Sequence, residues 1–100
     1  MKSIMQDRKD FCYICGGNPN YEDGMLEEHH VFFGAGRRSL SEKYGLKIYI
    51  HAHKCHRNGK KAVHMNKETR RMTEVAGQEA FERVHGSRED FIKIFGRNYI

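Results

Sequence analysis

Residues 26–53, LEEHHVFFGAGRRSLSEKYGLKIYIHAH, decide the fold. LEEHHVFF at 26–33 leads through a glycine-flanked basic segment, GAGRRSLSEKYG at 34–45, into LKIYIHAH at 46–53. In the last of these, Leu46, Ile48 and Ile50 alternate with Lys47 and Tyr49, the period-two pattern of a half-buried strand. The stretch predicts two strands joined by about a dozen residues, an antiparallel hairpin whose long basic loop carries function. Successive side chains on a strand point to opposite faces, so the adjacent imidazoles of His29 and His30 cannot both serve one ion without distortion. One can hold a cation while its neighbour, kept neutral, takes a proton from water.

Upstream, residues 1–10 are polar and predict a loose or short helical arm, and CYICGGNPN at 12–20 reads as a tight knuckle of turn formers. Downstream, HRNGKKAVH at 56–64 is a polar loop, and Asn66 can cap a helix running to about Val84, with Gly86 as its stop. Met72, Val75, Ala76, Ala80, Phe81 and Val84 are its expected core face, against which Gly77 is a weak point. Ser87 and Asp90 are spaced as a capping box ahead of a short final helix, FIKIF, whose Phe91, Ile92, Ile94 and Phe95 are expected in the core. The order is knuckle, strand, strand, helix, helix: an α+β chain of one domain over residues 1–100, with the knuckle and hairpin core in 12–66 and a helical part in 67–100.

A chain of 100 residues with 38% hydrophobic content and no Trp builds a single modest core, and something besides apolar packing is expected to hold it. The first 30 residues carry three Lys/Arg against six Asp/Glu, and the rest carry fifteen against seven, so the basic part is the expected partner surface for a polyanion. No apolar run approaches a membrane span and the N-terminus lacks a signal-like apolar core, which predicts a cytoplasmic protein with no membrane partner. Three cysteines, an odd number, suit thiolate ligands in a reducing compartment better than a disulfide framework.

Cys12 and Cys15 form a C-x2-C pair, the spacing at which two thiolates converge on one tetrahedral ion. HAHKCHRN at 51–58 offers the other half: Cys55 as third ligand, and His51 as the favoured fourth because three intervening residues leave room for a turn, with His53 as its competitor. The bland alternative is three cysteines packed as small hydrophobes. A Cys3His zinc site would tie the N-terminal arm to the far end of the hairpin and supply folding energy.

The series of C-x2-C, EEHHVFFG, a strand ending in HAHKCHRN, and AVHMN resembles the HNH endonucleases, over residues 12–66. More narrowly, HHVFFGAGRRSLSEKYGLK with the later CH and VHMN looks like the compact phage nucleases of the recombination-enhancement, RecA-dependent type. The resemblance implies a ββα-metal (His-Me finger) domain with C-terminal helices, in which His30 is the general base and His29, His56 and His64 ligate a catalytic divalent cation (Mg²⁺, Mn²⁺, Ni²⁺ or Zn²⁺). It leaves the roles of His29 and His30 open to exchange. The family's middle asparagine, which orients the base, is missing, since no Asn lies between 31 and 50; Asn58, a backbone carbonyl or, better placed, Asn66 beside His64 would take that part. His51 or His53 also stands where the family usually has cysteine, an exchange zinc tolerates.

The activity so implied is hydrolysis of DNA phosphodiester bonds, cutting or nicking, by a phage- or prophage-encoded enzyme in a bacterial host's cytoplasm, with a recombination or packaging protein as a further partner and oligomeric state left open. DNA affinity would come from Arg37, Arg38, Lys54, Arg57, Lys60 and Lys61, with Lys43, in the two loops bordering the site, while Arg70 and Arg71 read as the wet face of the long helix. The competing reading is a zinc-ribbon-like nucleic-acid binding module without catalysis, in which His29 and His30 are structural. A thiol redox role for Cys12 and Cys15 lacks the βαβ setting it would need.

Overall fold

The computed structural model describes residues 1–7 and 9–100. Its elements run β1 (Leu26–His30), α1 (Arg37–Tyr44), β2 (Lys47–His51), a π-helical turn (Ala52–Arg57), α2 (Lys67–Val84) and α3 (Arg88–Phe95). The chain is α+β, and β1 and β2 pair antiparallel with Leu26 opposite His51, His29 opposite Ile48 and His30 opposite Lys47. No helix among the described residues is long and apolar enough to cross a membrane.

The hairpin is present but shorter than predicted, and its connection differs. Residues 37–44 are not loop but helix: Leu40 and Tyr44, four apart, pack half-buried on the core, while Ser41, fully buried, donates to the Leu46 carbonyl (2.6 Å) and accepts from Phe32 N–H (3.1 Å). These side-chain bonds, invisible in a stretch flanked by glycines, fix the helix against the residues that follow β1 and precede β2. β2 is also buried on both faces, not half-exposed: Lys47 and Tyr49 are covered because residues 1–6 lie along that side. Ile4 N–H donates to Gly45, Ser3 Oγ to the Lys47 carbonyl, and Tyr49 N–H to Gln6 Oε1. The arm is thus pinned and non-helical; its Arg8 lies outside the described residues.

α2 begins as predicted, with Asn66 accepting from Thr69 N–H (2.9 Å), but its buried face is Thr69, Thr73, Gly77, Gln78, Ala80 and Phe81, leaving Met72 and Val84 half-exposed. Gly77 sets that face, since a Cβ there would stand 3.0 Å from the Phe32 ring and 3.2 Å from Val31. The missing side chain lets the helix close on β1's continuation. Ser87 and Asp90 form a capping box, and of the final helix Phe91 and Phe95 enter the core, stacking at 4.5 Å beside Phe32, Phe81 and Tyr99, while Ile92 stays exposed.

Candidate metal centres

Two side-chain clusters flank the far end of β2, and the π-helical turn feeds both. Asn58 N–H bonds to the His53 carbonyl (2.8 Å), the five-residue spacing of a π turn, a rare conformation that recurs at functional sites. The wider turn sends the side chains of the consecutive Cys55 and His56 to different clusters.

Cys12, Cys15, His51 and Cys55 lie close enough to hold a metal such as zinc, their ligand atoms all within 4.8 Å of one another. Cys15 Sγ and Cys55 Sγ stand 3.3 and 3.9 Å from His51 Nδ1, bracketing the about 3.6 Å expected between sulfur and nitrogen on tetrahedral zinc. His51 Nε2 donates to the Asn18 carbonyl (2.7 Å), which fixes the tautomer and leaves Nδ1 as the ligand atom. Of the two histidines weighed for the fourth position, His51 is inside the cluster and buried, and His53 is exposed. Gly24, with φ 95°, permits the approach: a Cβ there would come within 2.9 Å of the Ala52 and His53 nitrogens, and the Asp23 carbonyl accepts from His53 and Lys54 N–H. Burial raises the Cys12 thiol, but backbone N–H groups of Cys15, His51 and Ile14 more than offset it and bring it to about 7. Burial and the neighbouring sulfurs push Cys55 up. A bound divalent cation would offset the repulsion of three thiolates held this close together.

The second cluster is His29, His56 and His64, one ring nitrogen from each lying within 4.8 Å of the others. His29 comes from the core face of β1, His56 from the π turn, and His64 from a return segment held by His64 N–H to the His56 carbonyl (3.2 Å) and Val63 N–H to Cys55 (2.8 Å). The Glu27 carboxylate accepts from His56 Nδ1–H (2.8 Å), so His56 presents Nε2, 3.2 Å from His29 Nδ1. Two nitrogens on one cation at about 2.1 Å stand roughly 3.0–3.4 Å apart, so this spacing fits shared coordination. His29 Nε2 is the one buried side-chain nitrogen or oxygen among the described residues with no hydrogen-bond partner. Burial first, then the charges that His56, His64 and His30 can carry, depress His29 to about 3; burial, His56, Arg57 and Arg70 lower His64. Both imidazoles are therefore kept neutral, the ligating form.

His30 projects to the other face of the sheet, as strand alternation requires. It donates from Nε2 to Glu42 Oε1 (2.8 Å), beside Glu28 (3.7 Å), and among the described residues no hydrogen bond engages its Nδ1. Its bonds with His30 first, then Lys47 and the N-terminal amine, hold Glu42 at about 2, an ionised carboxylate. Glu28, His30 and Glu42 are also within ligating distance of one another. Lys47 Nζ, however, stands 2.9 Å from Glu42 and 3.4 Å from Glu28, so an ammonium already occupies the place of a cation there. A cleft of about 530 Å³ opens on His30, lined by Glu28, Gly36, Arg38, Ser39 and Glu42.

Asn66 is elsewhere engaged: Oδ1 caps α2 and Nδ2 donates to the Lys60 carbonyl (3.1 Å), so the group that holds His30 is Glu42, which the sequence reading missed. Glu27 was missed too, although its spacing of two from His29 on one strand face was a usable signal. Of the basic residues, Arg57 pairs with Glu27, Lys54 stands 4.0 Å from Asp23, Lys60 and Lys61 are exposed, and Arg38 lines the His30 cleft while its neighbour Arg37 lines another beside His64. No family model, curated protein or solved structure matches the chain.

Proposed function

We propose that this chain is an HNH-type, metal-dependent DNA endonuclease. In this reading the hairpin, the π turn and α2 make up a ββα-metal core, Cys12, Cys15, His51 and Cys55 hold a structural zinc, and His29, His56 and His64 hold the catalytic divalent cation. The observation that carries it is the convergence of three imidazoles, with His29 Nδ1 standing 3.2 Å from His56 Nε2 and one ring nitrogen of each of His29, His56 and His64 within 4.8 Å of the others. That cation would stabilise charge on the phosphate and on the departing 3′ oxygen.

The chain's own groups supply the rest. His30, bonded to Glu42 through Nε2, has Nδ1 for the proton of the attacking water, and the carboxylate fixes the ring and steadies the imidazolium that results. Glu42 thereby does what an asparagine does elsewhere in the family. His29 and His30 face opposite ways, yet the consecutive Arg37 and Arg38 line clefts on the two sides, so a strand laid across the end of β1 meets both. Contacts of this kind grip the backbone and favour cutting with little sequence preference.

The test is supercoiled plasmid incubated with zinc-loaded protein and Mg²⁺, Mn²⁺ or Ni²⁺. The parent should nick or cut, and His30→Ala should lose about 10²–10⁴-fold in rate while keeping its metal affinity. Plasmid that is retarded but uncut with every cation would replace the nuclease with a binding module.

A further inference from the structure

Beside the histidine triad lies a second cleft, of about 180 Å³, lined by Phe32, Phe33, Arg37, Arg70, Glu74 and Tyr99. The ring of Phe33 joins it to the triad, 5.0 Å from His64 and 5.6 Å from His29. At about 30 Å³ per water, its volume admits a phosphate group with a few waters. Four guanidinium groups, of Arg70, Arg97, Arg71 and Arg37, act on Glu74, whose carboxyl burial pushes up. Two of them are engaged with the C-terminal tail: Arg71 donates to the Tyr99 carbonyl (3.2 Å) and Arg97 lies 4.8 Å over the Tyr99 ring. Arg37 and Arg70, the two that line the cleft, have no side-chain hydrogen bond or ion pair among the described residues.

We propose that this cleft seats a backbone phosphate of bound DNA, gripped by Arg37 and Arg70 next to the cation held by His29, His56 and His64. The proposal rests on the DNA-cutting reading above and names the groups that place the strand. Two unpaired guanidiniums facing one carboxyl leave the cleft with a positive excess, and their planar forks suit phosphate oxygens. Phe33 gives a rigid apolar wall between seat and triad, which fixes the separation of a held phosphate from the reacting one. Arg70, which on sequence alone reads as a wet helix face, becomes a binding residue because α2 packs Gly77 against Phe32 and so turns this part of the helix toward the triad.

The experiment is fluorescence anisotropy of a labelled DNA duplex with zinc-loaded protein, without added divalent cation, over 50–250 mM salt. Parent, Arg37→Gln, Arg70→Gln and the double variant are compared with Arg83→Gln, an equal change of charge at an exposed position near the end of α2. Each cleft variant should flatten the slope of log affinity against log salt by about 0.9 and the pair by about 1.8, while Arg83→Gln leaves it unchanged. Thermal melts confirm that each variant is folded. A duplex-binding parent whose slope is the same in both cleft variants, or falls as much in Arg83→Gln, overturns the seat and leaves the nuclease reading standing. A parent that binds no duplex overturns both. Flattened slopes in a protein that never cuts plasmid would support the seat and overturn the nuclease.

Discussion

Glu27→Gln is the perturbation that reports most directly on how the triad is organised. The Glu27 carboxylate lies 2.8 Å from His56 Nδ1 and also pairs with Arg57, so it fixes the ring whose Nε2 faces His29. Hydrogen bonds to charged partners contribute about 1.5–3 kcal/mol and neutral ones about 0.5–1.5 kcal/mol. Glutamine keeps the shape and an acceptor but not the charge, a loss of roughly 1–1.5 kcal/mol, or about five- to tenfold in cation affinity. Glu27→Ala, which removes the acceptor, should cost about 10–100-fold, as outer-shell partners of ligating histidines do. Arg57, released in either variant, repels a cation and acts in the same direction; adding Arg57→Gln should recover part of the loss. The assay is calorimetric titration of Mn²⁺ into zinc-loaded protein, the thiolate-rich site keeping its zinc because soft ligands disfavour manganese. Manganese affinity within twofold of the parent in both variants would refute the role assigned to Glu27.

Other outcomes follow from the same geometry. His51→Ala should lose the tightly bound zinc measured by elemental analysis, and His53→Ala should keep it, because His51 lies in the thiolate cluster and His53 is exposed. Gly77→Ala should destabilise by about 1–2 kcal/mol in urea unfolding, although a helix interior normally gains about 1 kcal/mol from that change, because its Cβ would press on a Phe32 ring braced by Phe91, Phe95 and Tyr99; increased stability would contradict the packing. In metal-free protein His29, depressed to about 3 against 6.5 for an exposed imidazole, leaves the unfolded chain binding more protons between those values. Stability is then fully present above about pH 6.5 and falls on acidification by at most about 1.4 kcal/mol per pH unit. Replacing His29 by Gln should flatten the urea midpoint's dependence over pH 7–4, and an unchanged dependence would show that the imidazole is not held neutral.

The parts legible in the sequence were those carried by local signals. Period-two alternation in 46–50 and the C-x2-C pair needed no tertiary knowledge, and they located the hairpin and the Cys3His cluster. The capping residues Asn66 and Ser87 marked the starts of α2 and α3 for the same reason. α1 was missed because its helical signals, Leu40 and Tyr44 four apart, are short and framed by glycines, and because Ser41 is held by the backbone of Phe32 and Leu46, residues flanking the two strands. The buried face of α2 escaped hydropathy since two of its members, Gly77 and Gln78, are there for close approach and hydrogen bonding: Gln78 accepts from Tyr99 N–H and donates to Asn98. Glu42, Lys47 and Arg70 gain their roles only when separate elements meet, and no spacing in the chain announces that.

Anomalous diffraction from crystals grown with zinc and soaked in Mn²⁺, recorded at both metal edges, tests the central assignment most directly. The expected map has zinc among Cys12, Cys15, His51 and Cys55, and manganese within bonding distance of His29, His56 and His64, with no peak between Glu28, His30 and Glu42 where Lys47 sits. Manganese beside His30, or no manganese at the triad at a saturating soak, would contradict it.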